Sequence, residues 1–322
     1  MDAILHFRAI RPIAPVQIAG RKPHAEPAQC IMPSLLIHPD PVMRLVVQGS
    51  AITFSHLAHL HQLSGAQQGL QFTQLAEHGY SLPRQTEAVQ AVIDFCREQQ
   101  IDCAYVDDKH TLKRFGLAVM DMDSTLISIE CIDEIADMYG LKPQVAAITE
   151  SAMRGEIEFA ESLRRRVALL EGLDESALQR VIDERLQLNP GAQTWIDACR
   201  EHGIRTMLVS GGFDFFADRV KAMLGLDYAQ ANSLEIIDGK LTGKVLGHIV
   251  DAQAKADFLI ATRDTLGLAP DQVVAIGDGA NDLKMMSVAA AGVAYHAKPI
   301  VQQQATYALN HVGLEGLVGL FV

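Results

Sequence analysis

Apolar and polar positions change rhythm along this chain, and the changes predict its elements. From Met43 onward, RLVVQG reads as a strand, ITFSHLAHLHQL as a helix and GLQFTQLA as a short strand region. RQTEAVQAVIDFCREQQ then reads as a helix and IDCAYVD as a closing strand, giving a small α+β domain over 42–109. Beyond it come three apolar runs. FGLAVMD closes on Asp121, IRTMLVS on Ser210 before Gly211 and Gly212, and QVVAIGD on Asp278 before Gly279. Such runs suit strands buried on both faces, and the helical stretches between them predict a doubly wound parallel α/β sheet of Rossmann-like type. Ligands of these sheets bind outside the carboxyl ends of the strands, where Asp121, Ser210 and Asp278 would meet.

The stretch between the first two runs reads as helices and is too long for a simple crossover. It predicts a helical cap at about 128–200, inserted in a domain of 110–322. NSLEIIDGKLTGKVLG at 232–247 sets Asp238-Gly239 between two alternating runs and predicts a β-hairpin insertion. Seven of the twelve prolines fall in the first 41 residues, so 1–41 reads as a Pro-rich leader. In the order of its elements alone, 42–109 resembles ACT-type modules, which bind small ligands in regulation. Every motif lies beyond Thr111, so a chain starting there is expected to stay folded.

Charge and composition narrow the partners. With 39 acidic and 27 basic residues the net charge is −12, which repels polyanions and argues against nucleic acid and anionic membrane surfaces. No apolar run approaches the length of a membrane span, and MDAILHFRAIRP lacks the pattern of an export signal. Five cysteines at irregular spacing read as reduced thiols, which makes the cytoplasm the expected compartment. His56, His59 and His61 crowd one predicted helix, but offsets of three and five do not share one face. They read as solvent-facing rather than as a metal site.

The chemistry concentrates at the strand ends. Asp121-Met122-Asp123-Ser124-Thr125 places two carboxylates at one of them, and GDGAND at 277–282 adds Asp278 and Asp282 at another. Acids converging on one crevice repel each other unless a cation intervenes, and hard oxygen ligands suit Mg²⁺. GDGAND imitates the first glycines of a dinucleotide fingerprint. Asp282 replaces the third, and no GxxxxGK loop occurs, so nucleotide binding is not expected.

In this order DMDST, VSGG, Lys255 and GDGAND resemble the four motifs of the haloacid dehalogenase-like phosphohydrolases. MDMDSTLISIECIDEIA, RGEIEFAESLRRRVALL, VSGGFDFF and VAIGDGANDLKM are similar to the phosphoserine phosphatase branch of that family, over about residues 110–322. The resemblance implies that Asp121 is a nucleophile forming an aspartyl phosphate and that Asp123 acts first as general acid, then as base. It implies Mg²⁺ held by Asp121, the backbone carbonyl of Asp123 and Asp278, with Asp282 in support. Ser210, the amides of Gly211 and Gly212, and Lys255 would bind the other phosphate oxygens. In the cap, Arg166 would grip a carboxylate and Glu130 an ammonium, with Met153 and Phe159 as apolar walls; Asn281 completes the implied substrate set. Phe159, Ser162 and Arg166 share one helical face; by pattern alone Arg164, Arg165 and Arg166 read as a solvated charge run, which the resemblance reverses for Arg166 only. The implied substrate is O-phospho-L-serine, the implied pathway serine biosynthesis, and a homodimer is left open. Two alternatives stand beside this reading: a phosphatase of the same fold acting on another small phosphomonoester, and an inactive regulatory protein that senses an amino acid.

Overall fold

Two sheets organise the computed structural model, which describes residues 42–322 apart from 67, 68, 70 and 77. The Pro-rich leader lies outside the described residues. The smaller sheet is built from β1 (Met43–Gln48), α1 (Phe54–Leu63), β2 (Thr73–Ala76), β3 (Gly79–Gln85), α2 (Gln90–Glu98) and β4 (Asp102–Asp107). Its strand order is β2-β3-β1-β4 with every neighbouring pair antiparallel, the split β-α-β-β-α-β arrangement. β3 corrects the expectation of one helix across RQTEAVQAVIDFCREQQ, because the helix begins only at Gln90. Pro83 and the lack of β-branched residues hide this strand in the sequence. Pro83 is tolerated because it lies beyond Gly79–Ser81, the part of β3 that β2 pairs, and opposite the irregularity in the β1 pairing between Met43 and Leu45. Leu45 and Val47 of β1 face the helices with Leu60, Val92 and Cys96. Among the described residues the histidines of α1 form no metal-ligating group. His56 instead caps α1 through a reciprocal pair with Thr53, and His59 stacks edge-on against Phe95.

The larger sheet begins with β5 (Leu117–Met120), after which the chain leaves for four helices, α3 (Cys131–Met138), α4 (Lys142–Met153), α5 (Phe159–Ala168) and α6 (Ser176–Glu184). It returns through α7 (Ala192–Glu201) to β6 (Arg205–Phe213), α8 (Asp214–Leu224), β7 (Tyr228–Ile237) and β8 (Lys240–Leu246). α9 (Ala252–Thr265), β9 (Val273–Gly277), α10 (Leu283–Ser287), β10 (Ala291–Tyr295), α11 (Pro299–Gln302), β11 (Tyr307–Leu309) and α12 (Gly316–Phe321) complete it. The order is β11-β10-β9-β5-β6-β7-β8, parallel except for the antiparallel β7–β8 pair. This is the expected doubly wound sheet with a helical cap and a hairpin. Successive residues of β5 and β9 feed opposite faces: Ala118, Met120, Val274 and Ile276 join one core, and Leu117, Val119, Val273 and Ala275 the other. In the hairpin, Asp238 (φ 52°) and Gly239 (φ 74°) both take the positive φ that a two-residue turn of primed type requires. The chain leaves and re-enters the core side by side at Ile127 and Leu188, so α7 belongs to the return crossover and lies beyond the cap.

The two sheets share an interior. Val46, Ala104 and Val106, on the face of the small sheet away from its helices, belong to the same apolar cluster as Leu317, Leu320 and Phe321 of α12. Arg44 donates to the carbonyls of Leu320 (2.7 Å) and His110 (3.0 Å), and Gln48 to that of Gly316 (3.0 Å). A chain starting near Thr111 would keep the larger sheet but lose this part of its interior. Among the described residues no helix is long and apolar enough to cross a membrane.

Candidate active site

Strand register gathers the site. In parallel pairing Met120 sits beside Leu208 of β6 and Ile276 of β9, so Asp121, Ser210 and Asp278 emerge together within two residues of those positions. After Asp121 the chain makes a tight turn, with Asp123 extended (φ −62°, ψ 135°) and Ser124 left-handed (φ 57°). A positive φ on a residue with a side chain is strained, a cost that surrounding contacts must offset. Here Asn189 holds the turn, donating to the carbonyls of Ser124 (3.2 Å), Thr125 (2.8 Å) and Ile127 (3.1 Å).

Charge at the centre is unbalanced. Carboxylate oxygens of Asp121, Asp278 and Asp282 lie within 4.8 Å of one another. The ammonium of Lys255, 1% exposed, reaches Asp121 and Asp282 at 2.8 Å each. Burial opposes the charge of Lys255, but the fields of Asp121 and Asp282 outweigh it and raise the ammonium above the usual lysine range. The acids show the deficit. Burial, then the charge of Asp282, pushes Asp278 up to about 6 and raises Asp121 well above the ordinary carboxylate range. A hard divalent cation would remove that deficit, and the all-oxygen donor set fits one. Asp282 is committed to Lys255 and to the amide of Gly279 (3.0 Å), which suits support better than free ligation.

Beside this cluster Ser210 accepts a hydrogen bond from the Gly212 amide at 2.8 Å. A Cβ on Gly212 would lie 2.5 Å from Asp123 Oδ2, so only glycine leaves room for that carboxyl. Burial raises Asp123, while the amide of Cys131, at the start of α3, holds its Oδ1 at 3.1 Å. Asn281 sits in the turn after β9, its side-chain oxygen against Gly279.

The cap contributes opposite charges. Arg166 on α5 is half-buried, and its Nε is buried without a hydrogen-bond partner. Burial disfavours its charge, and Asp133, Glu130 and Asp123 favour it. Arg164 and Arg165 are exposed, Arg165 pairing with Glu161 (2.7 Å). Glu130 accepts from the Ser124 hydroxyl at 2.7 Å; the protein around its carboxyl, and then Asp123, push it up to about 7. Phe159 sits near Gly211, its ring 2.9 Å from where a Cβ there would stand. Met153 is not brought in: at the end of α4 it is 65% exposed.

The model of the haloacid dehalogenase-like hydrolase family matches residues 118–287, and a phosphoserine phosphatase from a Polaromonas species is 52% identical over 214 residues, 65% of this chain and 91% of that protein. The chain belongs to the haloacid dehalogenase-like hydrolase family. The crystal structure of an unliganded probable phosphoserine phosphatase from Vibrio cholerae superposes with a TM-score of 0.76 at 39% identity, covering 86% of this chain and 85% of that one. A substrate-bound phosphoserine phosphatase complex superposes with a TM-score of 0.61 at 38% identity, covering 65% of this chain and 99% of that one.

In this haloacid dehalogenase-like hydrolase several site residues escape a reading of the sequence. The Thr125 hydroxyl donates to Asp278 at 2.9 Å across 153 residues. Asn232, 1% exposed, donates to the Gly211 carbonyl and accepts from the Val250 amide, both at 2.8 Å. It thereby ties the VSGG segment to the entry of α9, which carries Lys255. For Ser124, left-handed backbone gives no signal in a sequence that follows two acids. Asn189-Pro190 is the one hint that was available, a turn-forming pair at the end of the cap.

Proposed function

We propose that this hydrolase cleaves O-phospho-L-serine to serine and phosphate through Asp121. The observation that carries the reading is a nucleophile and acid pair, Asp121 and Asp123, set under a cap that presents Arg166, whose buried Nε has no partner, and the carboxyl of Glu130. A substrate with a carboxylate, an ammonium and a phosphate complements those groups. The names of the relatives support the same substrate.

Asp121, oriented through Oδ1 by the Met122 amide (2.7 Å) and Lys255, attacks phosphorus. As the bond from phosphorus to the serine oxygen breaks, Asp123 gives that oxygen its proton, a role suited to a carboxyl whose protonated form burial favours. Water then attacks phosphorus, Asp123 takes up its proton, and the bond to Asp121 breaks to release phosphate. Ser210, the amides of Gly211 and Gly212, and Lys255 bind the remaining oxygens. Asp121, Asp278 and the carbonyl of Asp123 would hold Mg²⁺, with Asp282 supporting through Lys255; when bound it would polarise a phosphoryl oxygen. Phe159 forms an apolar wall and Asn281 lies at the phosphate side, whereas the exposed Met153 contributes only if the cap closes further over the substrate. The net charge of −12 fits a small-molecule enzyme better than a binder of polyanions.

Phosphate release from phosphoserine, phosphothreonine and a sugar phosphate, with and without chelator, tests the reading. We expect chelator-sensitive turnover strongest on phosphoserine. Equal rates across the panel would favour a less selective phosphatase, and no release from any substrate would favour a binding protein.

A further inference from the structure

Asp102 opens β4 of the small sheet, outside every motif that carries the catalytic residues, and is 4% exposed. Its carboxylate accepts three consecutive backbone amides of the segment after β11: Asn310 on Oδ1 (2.7 Å), and His311 (2.8 Å) and Val312 (3.0 Å) on Oδ2. An acceptor-only group buried against three aligned N–H donors fixes a loop more firmly than neutral contacts would. That loop walls a cavity that borders the candidate active site without including Asp121, Asp123, Ser210 or Lys255. His311, Val312 and Gly313 line a cavity of about 490 Å³ whose other walls include Ser124 and Asp278.

The contacts continue inward. The Leu314 amide donates to the Pro190 carbonyl at 2.8 Å, which braces the segment where the cap returns to the core. Its neighbour Asn189 holds the carbonyls of Ser124, Thr125 and Ile127, the turn that carries Asp123 and supplies the hydroxyl held by Glu130. The two hinge segments are also stitched directly, Ser128 amide to Gln187 carbonyl (3.0 Å) and Asn189 amide to Leu126 carbonyl (2.9 Å).

From this chain of contacts we infer that Asp102 is a positioning residue for the catalytic turn: through the 310–314 loop and Asn189-Pro190, the small sheet sets the geometry of the 124–127 carbonyls. The effect on turnover rests on the hydrolase reading given above; the structural coupling does not.

Amide hydrogen exchange on the unliganded full chain tests the coupling without reference to activity. Asp102→Asn keeps the shape but turns an amide NH₂ toward the loop's own donors. Exchange should speed up by about tenfold at Ile127, Ser128 and Asn189 as well as at 310–312, a change of the size that coupling between distant residues produces. Gln48→Ala, which removes a contact to Gly316 at the same interface, should leave those three hinge amides as they are. Faster exchange confined to 310–312 would overturn the inference. Coupling is reciprocal, so Asn189→Ala should speed exchange at 310–312, and this variant decides the question if Asp102→Asn does not fold. In turnover, Asp102→Asn and Asn189→Ala should each lower kcat/KM for phosphoserine about tenfold, and the double variant little more than either, since residues acting through one path are not additive. Independent losses that multiply to about a hundredfold would overturn it, as would an unchanged kcat/KM in Asp102→Asn. A wild-type chain that releases no phosphate would sink the function reading alone, leaving exchange to judge Asp102.

Discussion

A carboxylate attacks phosphorus only while it is ionised, and the surroundings of Asp121 pull both ways. Burial and the charge of Asp282 favour its neutral form, and the Lys255 ammonium at 2.8 Å favours the anion. Asp121→Asn removes the anionic oxygen with almost no change of shape, so turnover should vanish while the circular dichroism spectrum is kept; near-normal phosphate release would exclude the covalent route. Asp123→Asn should cost about 10²- to 10⁴-fold in kcat, the usual share of a general acid. Glu130 gives a pH signature. Its carboxyl, pushed up to about 7, is anionic above that pH and neutral below it, so KM for phosphoserine should rise as pH falls through about 7. In Glu130→Gln that rise should shift to about pH 6, where the substrate phosphate takes its second proton. An unmoved midpoint would show that Glu130 does not meet the ammonium. Asp121, Ser210 and Asp278 were legible in the sequence because each ends an apolar run, and strand ends are where parallel sheets bind ligands. Thr125, Asn189 and Asn232 were not, because each acts through a contact that only the folded chain creates.

Helix α5 shows how far an element could be read. Its buried Leu163 and Val167, four residues apart, follow from spacing, whereas pattern alone treats Arg164, Arg165 and Arg166 as one charge run, and half-buried Arg166 stands apart from its exposed neighbours only in the fold. What the spacing could not supply is the direction of that face toward Glu130 and Asp123. Arg166→Ala should lower kcat/KM for phosphoserine by about ten- to a hundredfold, since a hydrogen bond to a charged group contributes about 1.5–3 kcal/mol. The loss should be much smaller on a phosphomonoester without a carboxylate, and equal losses on both would mean that Arg166 serves the fold or the phosphate site. β3 marks the opposite case. Its identity comes from pairing with β1 rather than from its own residues, so periodicity around Pro83 points elsewhere.

At the scale of the whole molecule, the sequence pattern divides the chain at 109/110, and the fold joins it again. Elements on either side of that boundary are regular enough to be read separately, but nothing in the apolar run of α12 says that its partner is the far face of β1 and β4. Removing 1–110 would uncover Leu317, Leu320 and Phe321 and leave the amides of 310–312 without their carboxylate. Water can solvate the freed amides, so the apolar term dominates: at about 25 cal/mol per Å², each ~100 Å² of apolar surface uncovered costs about 2.5 kcal/mol. For a domain of this size each kcal/mol lowers Tm by about 2–4 °C, so the truncated chain should melt at least about 5–10 °C below the full one. Below its transition it should still turn over phosphoserine, because every residue from Asp121 to Asp282 is present, but with the kcat/KM deficit of Asp102→Asn. Thermal melting and steady-state rates on the two chains check both parts. An unchanged Tm would mean that the shared interior adds nothing to stability, and the boundary read from the sequence would then be the physical one.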